Sequence, residues 1–381
     1  MRIILNAVTA NKNAGGAFQV SLNFIKYTIQ DTEIEWYYWL SESLYNALDL
    51  DIMNEKLYVF KDQPDLMDSY WKTQKKLSYL EKAIDPDLIY TITAPSYFRF
   101  KFLEVMRYTN PWVANPNKYA WRHLSITDKL KKRIYIYLHY WLLNKCRFFI
   151  TQSETTKKGI QKVAKTSSDY ICVVPNVLPA YYETISPIQK IEHDGNIYIS
   201  CVSVPYPHKN IDIIPDVLYY LKRDFGINNV YFHITIQEHT AFYAKFNARL
   251  HKLGIEEKVI NWGYCNQKRL VELYSKSDIC FMPTLLEVFT ASLLEGMYFG
   301  LPVITSDLPF NKDVIKDAAL YFKPCDARDA AEKIAKVIQD KQLQIYMKER
   351  DKEILTCYSG YGNHYRKTIE AFRYFLNIKS K

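Results

Sequence analysis

Along the chain, short, mainly apolar runs alternate with longer stretches in which apolar residues recur every three or four positions. The runs cover residues 3–5, 36–40, 57–60, 88–92, 148–151 and 171–174, then 197–202, 230–236, 258–262, 279–282, 302–305 and 320–322. Mainly apolar runs of this length predict buried strands. The periodic stretches 18–29, 70–83, 155–165, 211–223, 266–276, 291–299 and 327–348 predict helices. Strands alternating with helices give an α/β fold with parallel sheets. A polar, turn-rich stretch at 176–195 interrupts the alternation near the middle and reads as a linker. The expected architecture is two Rossmann-like doubly wound domains facing across a cleft, 1–183 and 184–360, with 361–381 a helix packing back on the first. In such sheets ligands bind beyond the carboxyl ends of the strands. Candidate chemistry is therefore sought just after strands.

Composition narrows the class. Of 381 residues 48% are hydrophobic and 24% charged, which excludes a disordered chain. No window approaches the roughly 18 apolar residues of a membrane span. The first apolar run is too short for a signal peptide and reads as a strand. Seven scattered cysteines with no C-x-x-C pair argue against a disulfide framework or structural zinc, and for a reducing cytosol. The formal charge is +9, and 118–147 holds eight basic residues against the single acid Asp128. Such clustering implies an anionic partner. Within it, Leu130, Ile134, Tyr137, Leu138, Trp141 and Leu142 share one helical face, with Lys131, Lys132 and Arg133 at the amino end. This suits a helix lying on an anionic bilayer, and equally an amphipathic helix packed on its own sheet. The first alternative places the protein in the cytoplasm, peripheral on the inner face of the cell membrane. Nucleic acid is not an expected partner, because no recognised motif accompanies the charge. Oligomeric state is left open.

Three post-strand loops carry candidate chemistry. In 279–307 a strand ends at Pro283, a loop carries Glu287, Val288 and Phe289, and a helix starting near Thr290 carries Glu295. The carboxylates form E-x7-E, and the amides of Phe289, Thr290 and Ala291 are helix-start donors suited to a diphosphate. The plainer alternative makes Glu287 a cap and Glu295 a solvated residue; Met297, Phe299 and Leu301 argue instead for a buried helix. In 202–210 (VSVPYPHKN), His208 and Lys209 stand at the expected entry to helix 211–223, where a solvated lysine is the alternative. Gly15 and Gly16 follow the first strand; without Cβ atoms they allow close backbone approach to a ligand, or simply form a tight turn. Neither G-x-G-x-x-G nor G-x-x-x-x-G-K-[ST] occurs. Asp85-Pro86-Asp87 precedes its strand, at the wrong end for a ligand, so it reads as a turn and no metal is expected.

The 279–307 segment resembles the E-x7-E stretch of retaining glycosyltransferases of glycosyltransferase family 4, whose fold is the two-domain GT-B type. The matching residues are Pro283, Thr284, Glu287, Phe289, Glu295, Met297, Gly300, Pro302, Val303 and Ile304; Thr290 departs from a usual Gly and Gly296 from a usual Ala. Trp262-Gly263-Tyr264 with Leu270, Tyr274, Ser277 and Asp278, and the strand-plus-turn 149–154, extend the likeness over 149–340. The resemblance implies a UDP-sugar or GDP-sugar donor, no cofactor, and transfer with retention to a glycan or lipid-linked hydroxyl, as in bacterial surface-polysaccharide assembly. It implies that Lys209 binds the diphosphate, Glu287 the donor sugar and Glu295 the ribose, with the Gly15-Gly16 loop nearby. Val204 stands where the family's second phosphate cation is expected. The family's acceptor-side His is missing near 103–111, leaving Ser96, Tyr97, Arg107 and Asn110 as polar candidates. Two rivals remain. One is another GT-B enzyme, an epimerase or phosphorylase; the other is a non-catalytic basic protein that binds membranes or nucleic acid.

Overall fold

A computed structural model describes residues 1–10, 16–48, 54–61, 68–185 and 195–379. The chain folds into two compact units: Met1–Ala114, Leu130–Pro175 and Gly362–Lys381 form one, Asn115–Lys129 and Asn176–Tyr361 the other. The stretch 115–129 thus belongs with the later half of the chain, and the turn-rich stretch joins that half from Asn176 onward.

Among the described residues, the first unit holds strands β1 (Arg2–Ala7), β2 (Glu35–Ser41), β3 (Leu57–Phe60), β4 (Leu88–Ala94), β5 (Glu104–Tyr108), β6 (Phe148–Thr151) and β7 (Ile171–Val173). They pair in parallel in the order β3-β2-β1-β4-β5-β6-β7, so successive strands are added outward from β1 on one side and from β4 on the other. The helices up to β7 are α1 (Gly16–Gln30), α2 (Glu42–Tyr45), α3 (Asp68–Ile84), α4 (Pro111–Ala114), α5 (Lys118–Arg122), α6 (Ile126–Leu143) and α7 (Glu154–Val163). Ile3, Leu5, Leu88, Tyr90 and Val105 of the strands pack in one apolar core with Phe24 of α1. Where α7 crosses α4 the residue is Gly159, because a Cβ there would stand 1.8 Å from the Ala114 carbonyl oxygen.

The second unit continues with α8 (Ala180–Glu183), β8 (Ile197–Cys201), α9 (Ile214–Phe225), β9 (Val230–Ile234), α10 (Ala241–Leu253), β10 (Val259–Asn261) and α11 (Gln267–Ser275). It closes with β11 (Ile279–Met282), α12 (Ala291–Tyr298), β12 (Val303–Ser306), α13 (Pro309–Ile315), β13 (Ala319–Phe322), α14 (Ala327–Gln339) and α15 (Lys341–Cys357). All its strands are parallel, ordered β10-β9-β8-β11-β12-β13. The helix expected over 327–348 is in fact two. Asp340 is extended, at φ −112° and ψ 92°, and its side chain accepts from the Leu343 amide, starting a new helix where the old one ends. The final helix α16 (Tyr361–Lys379) returns to the first unit, where Phe372 lies 4.8 Å from Tyr90 between ring centroids.

One polar chain, buried at Asn6 and Thr91 and half-buried at Glu104, crosses the first sheet. Asn6 donates to Thr91 at 3.0 Å, and Thr91 donates to Glu104. Burial lifts the Glu104 carboxyl to about 8, despite the Thr91 hydroxyl. The native state therefore keeps a proton that the unfolded chain gives up above 4.5. Stability contributed here is full below that value and is lost as pH rises toward 8. Glu104→Gln should remove this loss, stabilising the protein by on the order of 4 kcal/mol at pH 8 and by little at pH 4. Urea denaturation at the two pH values checks it; equal gains at both would point to packing instead.

Candidate functional site

In the second sheet β8 feeds strands on one side and β11 feeds strands on the other, while the two lie adjacent, with Ile199 opposite Ile279. Connections that diverge from neighbouring parallel strands leave a crevice at their carboxyl ends. The loops at that point are the two singled out by sequence.

Lys209 does not sit at the amino end of a long helix, as its spacing predicted. Pro207 opens a separate 3₁₀ turn, Pro207–Lys209, and Asn210 stops it in the left-handed region, at φ 56°. A second turn follows, and α9 begins only at Ile214. What Lys209 meets instead is Glu287: ammonium and carboxylate form an ion pair whose side chains are 19% and 13% exposed. Glu287 also accepts from the Thr284 hydroxyl at 3.2 Å. The two loops are tied through backbone as well, the Leu285 amide donating to the His208 carbonyl at 2.7 Å. The His208 ring stacks on Tyr206.

Beyond Glu287, Val288 and Phe289 are buried, Phe289 against Tyr358. Helix α12 starts at Ala291, where the stretch 291–299 predicts it, so its opening amides belong to Ala291 and Ser292. Thr290 stands at the cap position but makes no cap; its hydroxyl donates to Asn311 at 3.3 Å. The helix start therefore has no side-chain cap from Thr290, on the same edge as Lys209. That combination of cation and helix amides suits an anion.

Glu295 lies one turn into α12, half-buried, and accepts from the Tyr274 hydroxyl at 2.9 Å. Burial raises its pKa, while Tyr274 and Tyr182 both act to lower it. Tyr182 comes from α8, inside the stretch expected to be linker, and stays buried because it packs on Tyr298 and Phe299. Sequence reasoning gave no role to Tyr182, Tyr274 or Thr284. Thr284 and Tyr274 belong to the matched motifs, whereas nothing local marks Tyr182 among 32 tyrosines.

The remaining candidates scatter. Gly16 is the first residue of α1 and a Cβ there would meet nothing within 4 Å, whereas Gly15 lies outside the described residues. Ser96 is buried, and its hydroxyl accepts from the Phe98 amide at 3.2 Å, closing its own turn. Tyr97 is partly exposed beside it. Arg107 is buried within β5, where with burial it helps hold His364 down at about 4. Asn110 donates to the Tyr135 hydroxyl at 2.6 Å and caps the start of α4. Asp87 accepts from the Arg2 amide at 2.7 Å, at the amino end of β4.

Helix α6 turns out opposite to one of its two readings. Leu130, Ile134, Tyr137, Leu138 and Trp141 are exposed, while Ile136, His139, Leu142 and Leu143 face the interior. Leu142 therefore leaves the outer stripe it was assigned to. Lys131 and Arg133 are exposed; Lys132 lies over the rings of Trp112 and Tyr135, at 5.1 and 5.0 Å. No helix among the described residues is long and apolar enough to cross a membrane.

Residues 183–354, within the second unit, match the model of the family described as Glycosyl transferases group 1. The chain is 27% identical over 202 residues to the O-antigen chain mannosyltransferase RfbU of Salmonella typhimurium, spanning 53% of this chain and 54% of that one. It thus covers about half the length of that relative. Among solved structures, Anabaena Alr3699/HepE in complex with UDP and glucose superposes with a TM-score of 0.71 at 16% identity, over 98% of this chain and 99% of that one. WaaG, a glycosyltransferase involved in lipopolysaccharide biosynthesis, superposes with a TM-score of 0.66 at 16% identity, over 93% and 95%. The likenesses establish two Rossmann-like domains of the GT-B glycosyltransferase fold.

Gly296, one of the two departures from the family pattern, has a steric cause. A Cβ there would lie 2.6 Å from the Cys280 sulfur and 2.7 Å from its Cβ. Gly296→Ala should destabilise by about 1–3 kcal/mol through overpacking. Pairing it with Cys280→Gly should recover much of that loss, as a double-mutant cycle in urea would measure; additive losses would refute the contact.

Proposed function

We propose that this chain moves a sugar, with retention, from a nucleotide-diphosphate sugar to a hydroxyl of a glycan or lipid-linked acceptor, in the assembly of a bacterial surface polysaccharide such as lipopolysaccharide, O-antigen or capsule. The observation that carries this reading is the Lys209–Glu287 pair at the strand-order reversal of the sheet, inside the region that matches the glycosyl transferases group 1 model. In this reading Lys209 and the amides of Ala291 and Ser292 take the diphosphate. Glu287, already oriented by Thr284, accepts hydrogen bonds from the sugar hydroxyls. Glu295 accepts from the ribose. Stabilising the charge that develops on the departing diphosphate is the main catalytic contribution, and Lys209 supplies its cation because Val204 brings none. The acceptor hydroxyl attacks from the face that the diphosphate leaves, so no protein nucleophile is needed. By family resemblance no metal or other cofactor takes part, and the donor is a UDP-sugar or GDP-sugar.

Two variants test the assignment. Charge-assisted contacts to phosphate contribute roughly 1.5–3 kcal/mol, so Lys209→Ala should weaken UDP or GDP binding by about 10-fold to 100-fold. Glu287→Ala should still fold and bind the diphosphate yet lose most sugar transfer. Calorimetry and product release read the two effects. Unchanged diphosphate affinity in the first variant, or near-normal transfer in the second, would sink the assignment.

The outer face of α6 suggests where the acceptor is met. Its exposed apolar stripe beside Lys131 and Arg133 complements an anionic bilayer, where each basic residue near the surface contributes about 1 kcal/mol. On this reading the chain works on the cytoplasmic face of the cell membrane, held peripherally. The variant Lys131→Glu/Arg133→Glu spares Lys132, which the structure uses against Trp112. It should float less with anionic vesicles while glycosylating a water-soluble acceptor analogue as before. Wild-type protein that ignores such vesicles at low salt would refute the docking.

A further inference from the structure

The loop that carries Glu287 is held from far away in the chain. Asn115 and Asn117, lying 172 and 168 residues earlier, each donate a side-chain N–H at 2.8 Å, to the backbone carbonyls of Glu287 and Leu285 respectively. Both asparagines fall in the stretch 115–129, which belongs to the second unit although the chain on either side of it belongs to the first. We propose that this strap is a positioning element, and that Asn115 and Asn117 aim the Glu287 carboxylate by fixing the peptide planes beneath it. The inference rests on the transferase reading only for what Glu287 does once aimed.

The accounting of backbone groups argues for it. Leu285 is fully buried, so water cannot serve its carbonyl in place of Asn117. Thr284 and Lys209 restrain the carboxylate itself, but neither sets the backbone from which it projects. Asn117 serves two elements at once. Its Oδ1 accepts from the amides of Tyr119 and Ala120, both at 3.1 Å, and so caps α5. Its Nδ2 reaches Leu285. Helix α5 in turn packs against the 3₁₀ turn that carries Lys209. Both halves of the ion pair are therefore seated on one strap. An amide is required at 117 rather than any good cap: Asp and Ser cap a helix as well, but Asp has no N–H to donate and the serine hydroxyl is too short to span the gap.

This separation of duties supplies the test. Asn117→Asp keeps the cap of α5 and turns a carboxylate oxygen toward the Leu285 carbonyl; Asn117→Ser keeps the cap and simply loses the donation. Three readouts are compared with wild type: amide hydrogen exchange, UDP and GDP affinity by calorimetry, and turnover of a nucleotide sugar. In both variants, exchange across 284–289 should quicken by roughly tenfold while β8 and β11 stay protected. Diphosphate affinity should hold within about threefold, because Lys209 and the α12 amides remain, and turnover should fall by roughly tenfold or more. Unchanged loop exchange in both variants would overturn the proposal. So would a loss of protection spread through β8 and β11 with diphosphate binding lost alongside it, since that marks a purely structural residue. Wild-type protein that turns over no nucleotide sugar would refute the transferase reading alone, and the exchange measurement would still decide the strap.

Discussion

Neighbouring parallel strands whose connections diverge leave their carboxyl ends uncovered, and in the second sheet that place falls between β8 and β11. Two loops must end there, and here they bring opposite charges. Lys209 and Glu287 are shielded enough, at 19% and 13% exposure, that removing either leaves its partner poorly compensated. The pair therefore locks the loops together, and the Leu285–His208 backbone bond follows the same path. In the proposed reaction the lock is also the means of exchange. An incoming diphosphate offers Lys209 an alternative anion, and the sugar hydroxyls offer Glu287 alternative donors. Nothing in the site then has to move far for the donor to be held.

The surroundings show how closely that edge is packed. Thr290 turns its hydroxyl to Asn311 and so does not cap the start of α12. Gly296 lets the same helix approach Cys280 on β11, and the helix direction sets where Ala291 and Ser292 point. Glu295 then projects among phenols, Tyr274 donating to it and Tyr182 beside it, so that its raised pKa is offset by hydroxyls in place of a cation. A carboxyl in that setting is suited to neutral hydroxyl partners, which is what a ribose presents.

Helix α6 shows what periodicity cannot decide. Its apolar residues recur at helical spacing, so both a buried and an exposed stripe satisfy the pattern. His139 settles which side faces inward: the Tyr108 hydroxyl bonds its Nδ1 at 2.8 Å, and burial takes its pKa down to about 4, keeping the ring neutral. Ile136 and Leu143 share that buried side, and the more conspicuous stripe of Leu130, Ile134 and Trp141 is left outside. A histidine is thus part of the core.

By itself the sequence determined the two parallel sheets, because mainly apolar runs and helices of one period admit few other arrangements. It also determined the loop with Glu287 and the helix with Glu295, because both lie within one strand–loop–helix unit whose geometry is local. Boundaries slipped where two local preferences competed, as at Asp340, where a residue that caps a new helix outweighs a continuing apolar pattern. The tertiary structure decided which distant groups meet. Lys209 reaches Glu287 across 78 residues, Asn115 reaches its carbonyl across 172, and Tyr182 leaves a polar stretch to join an aromatic cluster. Such contacts depend on strand order and on which loops share an edge of the sheet. Those follow from how the whole core packs, and no spacing within a single segment encodes them.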